Sequence, residues 1–137
     1  MNKIVLITGV TGTIAGATAH EIAKSGATVI LLSRNRNKLE LVRNEISQKS
    51  GNNNIDILVT DLSDISSVRN AVKEFKKKYD RLNELVNVEA VYRKKREVTK
   101  DNLELMFATN HLGPFILTNE LLDLLKASKP VKDYNGN

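Results

Sequence analysis

The chain of 137 residues contains no cysteine. That excludes a disulfide framework, a thiolate zinc site and a cysteine nucleophile, and is compatible with a reducing compartment. No apolar run approaches the ~20 residues that span a bilayer. The first predicted strand begins at about Lys3, which leaves no room for a signal peptide, so the expectation is a cytoplasmic protein with no membrane span. The net charge is +5, concentrated in "KEFKKKYDR" (73–81) and "YRKKRE" (92–97). No aromatic stacking platform is interleaved with that charge, so these runs read as solvated surface and no nucleic-acid partner is expected. His20 has no metal-ligand partner at useful spacing, His111 reads as a lone structural histidine, and no metal site is expected.

Against those absences stands an ordinary globular balance, with 41% hydrophobic and 27% charged residues. "KIVLITG" reads as a buried strand ending in Gly9, followed by a helix from Ile14 to Lys24 with Gly26 as its C′ residue. "ATVILLS" (27–33) is a second strand, and a helix from about Asn37 to Gln48 buries Leu39, Val42 and Ile46. "IDILVTD" (55–61) is a third strand. Ile65, Val68, Val72, Phe75 and Tyr79 share one face of a helix over about 64–79. "LNELVNV" (82–88) is a fourth strand, and one long helix is predicted over 101–127. Apolar strands alternating with helices predict an α/β fold with a parallel sheet covered on both faces. The expectation is a Rossmann-like three-layer sandwich with strand order 3-2-1-4, spanning 1–127, with a polar tail at 128–137.

The turn after the first strand carries the strongest signal. "VLITGVTGTIAG" (5–16) passes from strand to helix through Gly9, Gly12 and Ala15. Gly9 can make the tight turn, Gly12 lets the backbone approach a phosphate, and Ala15 lets the helix pack on the sheet. The helix then presents its positive N-terminus to a pyrophosphate. The alternative is a turn that needs small residues only for packing. At the end of the second strand, where a carboxylate would select NAD through the ribose hydroxyls, this chain has Ser33-Arg34. The planar guanidinium of Arg34 can pair with a 2′-phosphate. The alternative is an exposed arginine ahead of the next helix.

With these residues in place, the chain resembles the N-terminal half of a short-chain dehydrogenase/reductase. "TGVTGTIA" is similar to the T-G-x-x-G-x-x-G/A turn of that family's extended and atypical branches. "SRNRNKLE", "VTDLSD", "YRKKREVTKDNLE" and "FATNHLGPF" are similar to its retinol-dehydrogenase-like members. The resemblance implies an oxidoreductase that moves hydride between a carbonyl and an alcohol, with NADP(H) preferred over NAD(H). The cofactor-binding residues it implies are Gly9, Thr11, Gly12, Thr13 and Ile14 in the turn, Ser33 and Arg34, Asp61 and Leu62, and Asn87, Val88 and Ala90. Asp61 can also serve the start of the helix near Asp64. Asn110 falls on the family's active-site asparagine. Pro114, four residues on, has no N–H and would kink the helix there, freeing a carbonyl that could hold a water of the family's proton relay. The alternative is a kinked core helix whose asparagine satisfies itself.

The family's pattern then breaks. Where it carries N-N-A-G, this chain reads Asn87-Val88-Glu89-Ala90. A carboxylate ~4 Å from a phosphate repels it by up to about 4 kcal/mol at an effective dielectric near 20. The family's Ser and Tyr-x-x-x-Lys have no counterpart: Tyr92 is followed four residues later by Arg96, and the chain is expected to be truncated before strand 5. Such a chain leaves strand 4 as an apolar edge and the 101–127 helix apolar around much of its circumference. The expectation is a homodimer through that helix or that edge, or a fragment of marginal stability. The rival expectation is a non-catalytic module that binds nucleotide weakly, or binds only a partner protein.

Overall fold

The computed structural model describes residues 2–128. Four parallel strands form one sheet: β1 (Ile4–Thr8), β2 (Thr28–Ser33), β3 (Ile55–Val59) and β4 (Glu84–Val86), in the order β3-β2-β1-β4. Helices α1 (Thr13–Lys24), α2 (Arg36–Ser50) and α3 (Ile65–Lys78) follow the first three strands. The sandwich and the strand order are those the sequence predicts.

β1 is central, and all five of its residues are buried. Its side chains alternate between the two faces. Ile4 and Leu6 join Ile30, Leu58, Phe75 and Leu117 on one side; Val5 and Ile7 join Val29, Leu31, Leu39 and Ile46 on the other. Ala15, Ala19 and Ala23 repeat at every fourth position, and their small side chains set α1 directly on the sheet. Gly26 supplies the positive-φ residue after α1, as its position predicts. Asn35 and Asp64 cap α2 and α3 through their side-chain oxygens.

The chain beyond β4 departs from the sequence reading. The strand predicted over 82–88 pairs only at Glu84–Val86, because Val88 and Glu89 turn their N–H groups to the Thr8 hydroxyl at 3.0 and 3.2 Å. The single helix predicted over 101–127 does not start until Leu105. Residues up to Glu104 fold back in a short antiparallel bridge between Val98 and Glu104. The Glu104 carboxylate then caps the new helix start, accepting from the N–H groups of Met106 and Phe107 at 3.0 and 2.7 Å. The helix proceeds in pieces: α4 (Leu105–Phe107), a π-helical turn (Ala108–Leu112), α5 (Gly113–Glu120) and α6 (Leu122–Ala127).

Pro114 explains the first break. It offers no N–H four residues after Asn110, and the ladder widens so that the Gly113 N–H reaches the Ala108 carbonyl. Gly113 also packs on backbone: a Cβ there would run into the Leu62 carbonyl. Leu121, with φ −100° and ψ 0°, makes the second break. Ser128, just after α6, is tied to the chain just ahead of β4, its hydroxyl donating to the Leu82 carbonyl at 2.7 Å and accepting from the Leu82 N–H at 3.0 Å. The rest of the predicted polar tail lies outside the described residues.

Candidate functional site

The C-terminal ends of parallel strands are where backbone groups open toward a ligand, and the crevice between β1 and β4 is the point where the strand order reverses. Here the residues after β1 and after β4 interlock. Thr8 is fully buried, and its hydroxyl accepts from the Val88 and Glu89 N–H groups, carrying the pairing of the two strands past the end of their ladder. Gly9, at φ +70°, lies directly under that segment. A Cβ on Gly9 would sit 2.8 Å from the Glu89 Cα, so both the dihedral and the space demand glycine.

The turn then closes tightly, with the Gly12 N–H donating to the Gly9 carbonyl at 3.0 Å. Gly12 is the N-cap of α1 and has no side chain to cover the helix end. The first N–H groups of α1 therefore face outward with no side-chain cap, unlike those of α2 and α3. A cavity of about 440 Å³ lies against them, lined by Gly9, Thr11, Gly12, Thr13, Ile14, Ala15, Val88, Glu89 and Ala90. Ile14 is 75% exposed beside it, an apolar wall held out of the core.

A second cavity of about 210 Å³ adjoins, lined by Thr11, Ser33, Arg34, Asn35, Lys38, Asp61, Ser63, Glu89, Val91, Arg93, Leu105 and Thr109. Arg34, Lys38 and Arg93 line it together with Asp61 and Glu89; Arg93 is paired with Glu97, which leaves Arg34 and Lys38 as the cations that suit an anionic ligand. Asp61 is held by its neighbours: its carboxylate accepts from the N–H and hydroxyl of Ser63 at 2.9 and 2.7 Å, and its N–H donates to the Ser67 hydroxyl. Burial pushes the Glu89 carboxyl above the ordinary carboxylate range; the Arg34 guanidinium opposes that rise, and the Asp61 carboxylate adds to it.

Gly9, Thr11, Gly12, Thr13, Ile14, Ser33, Arg34, Asp61, Val88 and Ala90 line one or both cavities. Three others from the sequence reading do not. Leu62 is 2% exposed and belongs to the core on the α3 side. Asn87 turns its carboxamide to the Thr118 hydroxyl at 3.1 Å. Asn110 uses both ends of its carboxamide on one peptide, accepting from the Val91 N–H at 2.7 Å and donating to the Val91 carbonyl at 2.8 Å. It thereby fixes the segment that floors the second cavity.

Sequence reasoning missed Lys38 and Arg93. Lys38 lies in the first turn of α2, directly after the Ser33–Arg34 segment, a nearness in sequence that could have found it. Arg93 belongs to a basic run read as solvated; its position depends on the fold-back of 93–104, where it pairs with Glu97 at 3.3 Å. Among the described residues no group of three or more His, Asp or Glu side chains is placed to hold a metal, and no helix is long and apolar enough to cross a membrane.

Comparison with known proteins gives a consistent result. The family model for short chain dehydrogenases matches residues 3–132. The human protein "Dehydrogenase/reductase SDR family member 12" is 42% identical over 90% of this chain, and mouse retinol dehydrogenase 13 is 38% identical over 97% of it. The chain spans only 39% and 40% of their respective lengths. A short chain dehydrogenase of Shigella flexneri, solved in complex with NADP, superposes with a TM-score of 0.78 at 26% identity, covering 94% of this chain and 56% of that one.

Proposed function

The chain belongs to the short chain dehydrogenase family, and from that premise we propose that it forms the NADP(H)-binding part of an oxidoreductase acting on a carbonyl or an alcohol. One observation carries this reading: the uncapped N-terminus of α1 and the guanidinium of Arg34 border two adjoining cavities at the strand ends. The N–H groups at Thr13, Ile14 and Ala15 suit a pyrophosphate. Arg34, with Lys38 beside it, suits a 2′-phosphate, and Asp61 suits the adenosine. Ile14 gives the cofactor an apolar wall. When bound, the nicotinamide supplies or accepts the hydride.

The chain's own residues bind and position. Thr8 and Asn110 hold the segment after β4, so Asn110 acts as a positioning residue through Val91. No tyrosine of these 137 residues is followed by a lysine four positions on. Binding rather than turnover is therefore the activity proposed for these 137 residues.

A second reading has its own support. Phe107, Phe115 and Leu122 are 49%, 56% and 37% exposed along the broken helix, and His111 lies between the two phenylalanine rings. An apolar stripe of that kind suits association with a second protein surface, as in a homodimer.

Calorimetric titration with NADPH and NADH tests the first reading. NADPH is expected to bind more tightly. Arg34→Ala is expected to weaken NADPH by roughly tenfold or more, the loss of one charge-assisted contact, with little change for NADH. Absence of binding by either cofactor at about 1 mM would remove the dinucleotide reading and leave the association reading.

A further inference from the structure

Glu89 is the one acidic side chain, among the described residues, that lines both cavities. Its backbone is fixed by the bond to Thr8 and by the contact with Gly9. The side chain therefore leaves from a set point between the glycine turn and the Arg34 wall. Its Oε2 is buried and has no hydrogen-bond partner. A charged oxygen withdrawn from water without a partner is costly, and the uncharged acid much less so.

The groups around it come from four elements. Arg34 follows β2, Lys38 lies in α2, Asp61 follows β3, and Arg93, paired with Glu97, comes from the segment after β4. The exposed N–H groups of α1 add positive potential from the remaining side. An ionised Glu89 draws on the same positive field that a phosphate needs, and repels the phosphate as well.

We propose that Glu89 makes dinucleotide binding proton-linked: the cofactor enters beside the uncharged acid, the ionised carboxylate opposes it, and binding draws a proton from solvent onto Glu89. The proton returns to solvent when the cofactor leaves. The direction of the Glu89 shift agrees, since burial already disfavours its charged form. This inference rests on the dinucleotide reading above and adds a regulation to the same site: affinity rises as pH falls.

The test uses the full chain, NADP+ and calorimetry from about pH 6 to about pH 8, in two buffers of different ionisation enthalpy. The wild type is compared with Glu89→Gln, which keeps the shape and fixes the neutral state. Relative to the variant, wild-type affinity is expected to fall by up to about tenfold per pH unit, and binding to take up as much as one additional proton. The variant binds more tightly at the alkaline end. Glu89→Ala, checked by circular dichroism, gives the same comparison should the glutamine variant misfold. Equal pH dependence and equal proton uptake in wild type and variant would overturn the proposal while leaving the site reading intact. No binding by either protein at any pH would overturn both.

Discussion

On the β1–β2 side of the sheet, residues Ile4 to Thr8 are buried and pair with β2 along their whole length. On the β4 side, only Glu84–Val86 pair, each residue is half-buried, and no strand lies beyond them among the described residues. The first region is held by a continuous backbone ladder and apolar contacts. The second is held by side chains reaching for backbone. Asn83 accepts from the Ile4 N–H at 2.8 Å, Ser128 brackets Leu82, Thr8 accepts from Val88 and Glu89, and Asn110 grips Val91. A ladder is specified by strand pattern, whereas clamps of this kind depend on single residues far apart in sequence. Loss of one residue should therefore be felt more locally, and more sharply, on the β4 side.

Gly113→Val should have the largest effect on this contrast. The added Cβ meets the Leu62 backbone, which cannot move without shifting the start of α3, and the expected loss is about 3 kcal/mol or failure to fold. Urea denaturation measures it; a loss below about 1 kcal/mol would mean that α5 is not docked on Leu62 as described.

Thr8→Val comes next. It keeps the volume but deletes the acceptor for two N–H groups, at an expected cost of about 2 kcal/mol. Hydrogen exchange should accelerate at Val88 and Glu89 while the β1–β2 amides stay protected. Uniform acceleration across the sheet would contradict the separation of the two regions.

The smallest effect belongs to the opposite edge. Asp56 on β3 is pushed up by burial, but hydrogen bonds from Lys78, Tyr79 and the Ile57 N–H outweigh this and hold its carboxyl below the ordinary value near 3.8. A depressed folded pKa contributes stability that is fully present above the unfolded value and is lost as pH falls through the folded one. Asp56→Asn should therefore destabilise by about 1 kcal/mol near neutrality, with the difference from wild type shrinking below about pH 4. Thermal melts across that range check the sign, and a difference that grows on acidification would refute it.

The same contrast explains what could be read from sequence. The first three strands and their helices, and the Gly26 terminus, follow from local pattern and lie on the β1–β2–β3 side, whereas the Gly9 turn is fixed also by the Glu89 backbone that packs over it. The late helix start at Leu105 depends on the Val98–Glu104 fold-back, which no helical periodicity encodes. Motif position points to Leu62 and Asn87 as cofactor contacts, yet the side chain of one turns to the core and that of the other to Thr118. The motif spacing puts Glu89 beside the expected cofactor site, but the lack of a partner for its buried oxygen shows only once Thr8 and Gly9 fix its backbone. Each of these depends on contacts made across the chain rather than along it.

The most direct test of the central claim, that the uncapped end of α1 and the Arg34 wall form one dinucleotide site, is an amide chemical-shift map of the chain titrated with NADP+. One such site gives the largest changes at Gly12 to Ala15, at Arg34 and at Asp61, with Val88 and Glu89 following. Changes confined to the helix beyond Leu105, with the glycine turn unmoved, would contradict it.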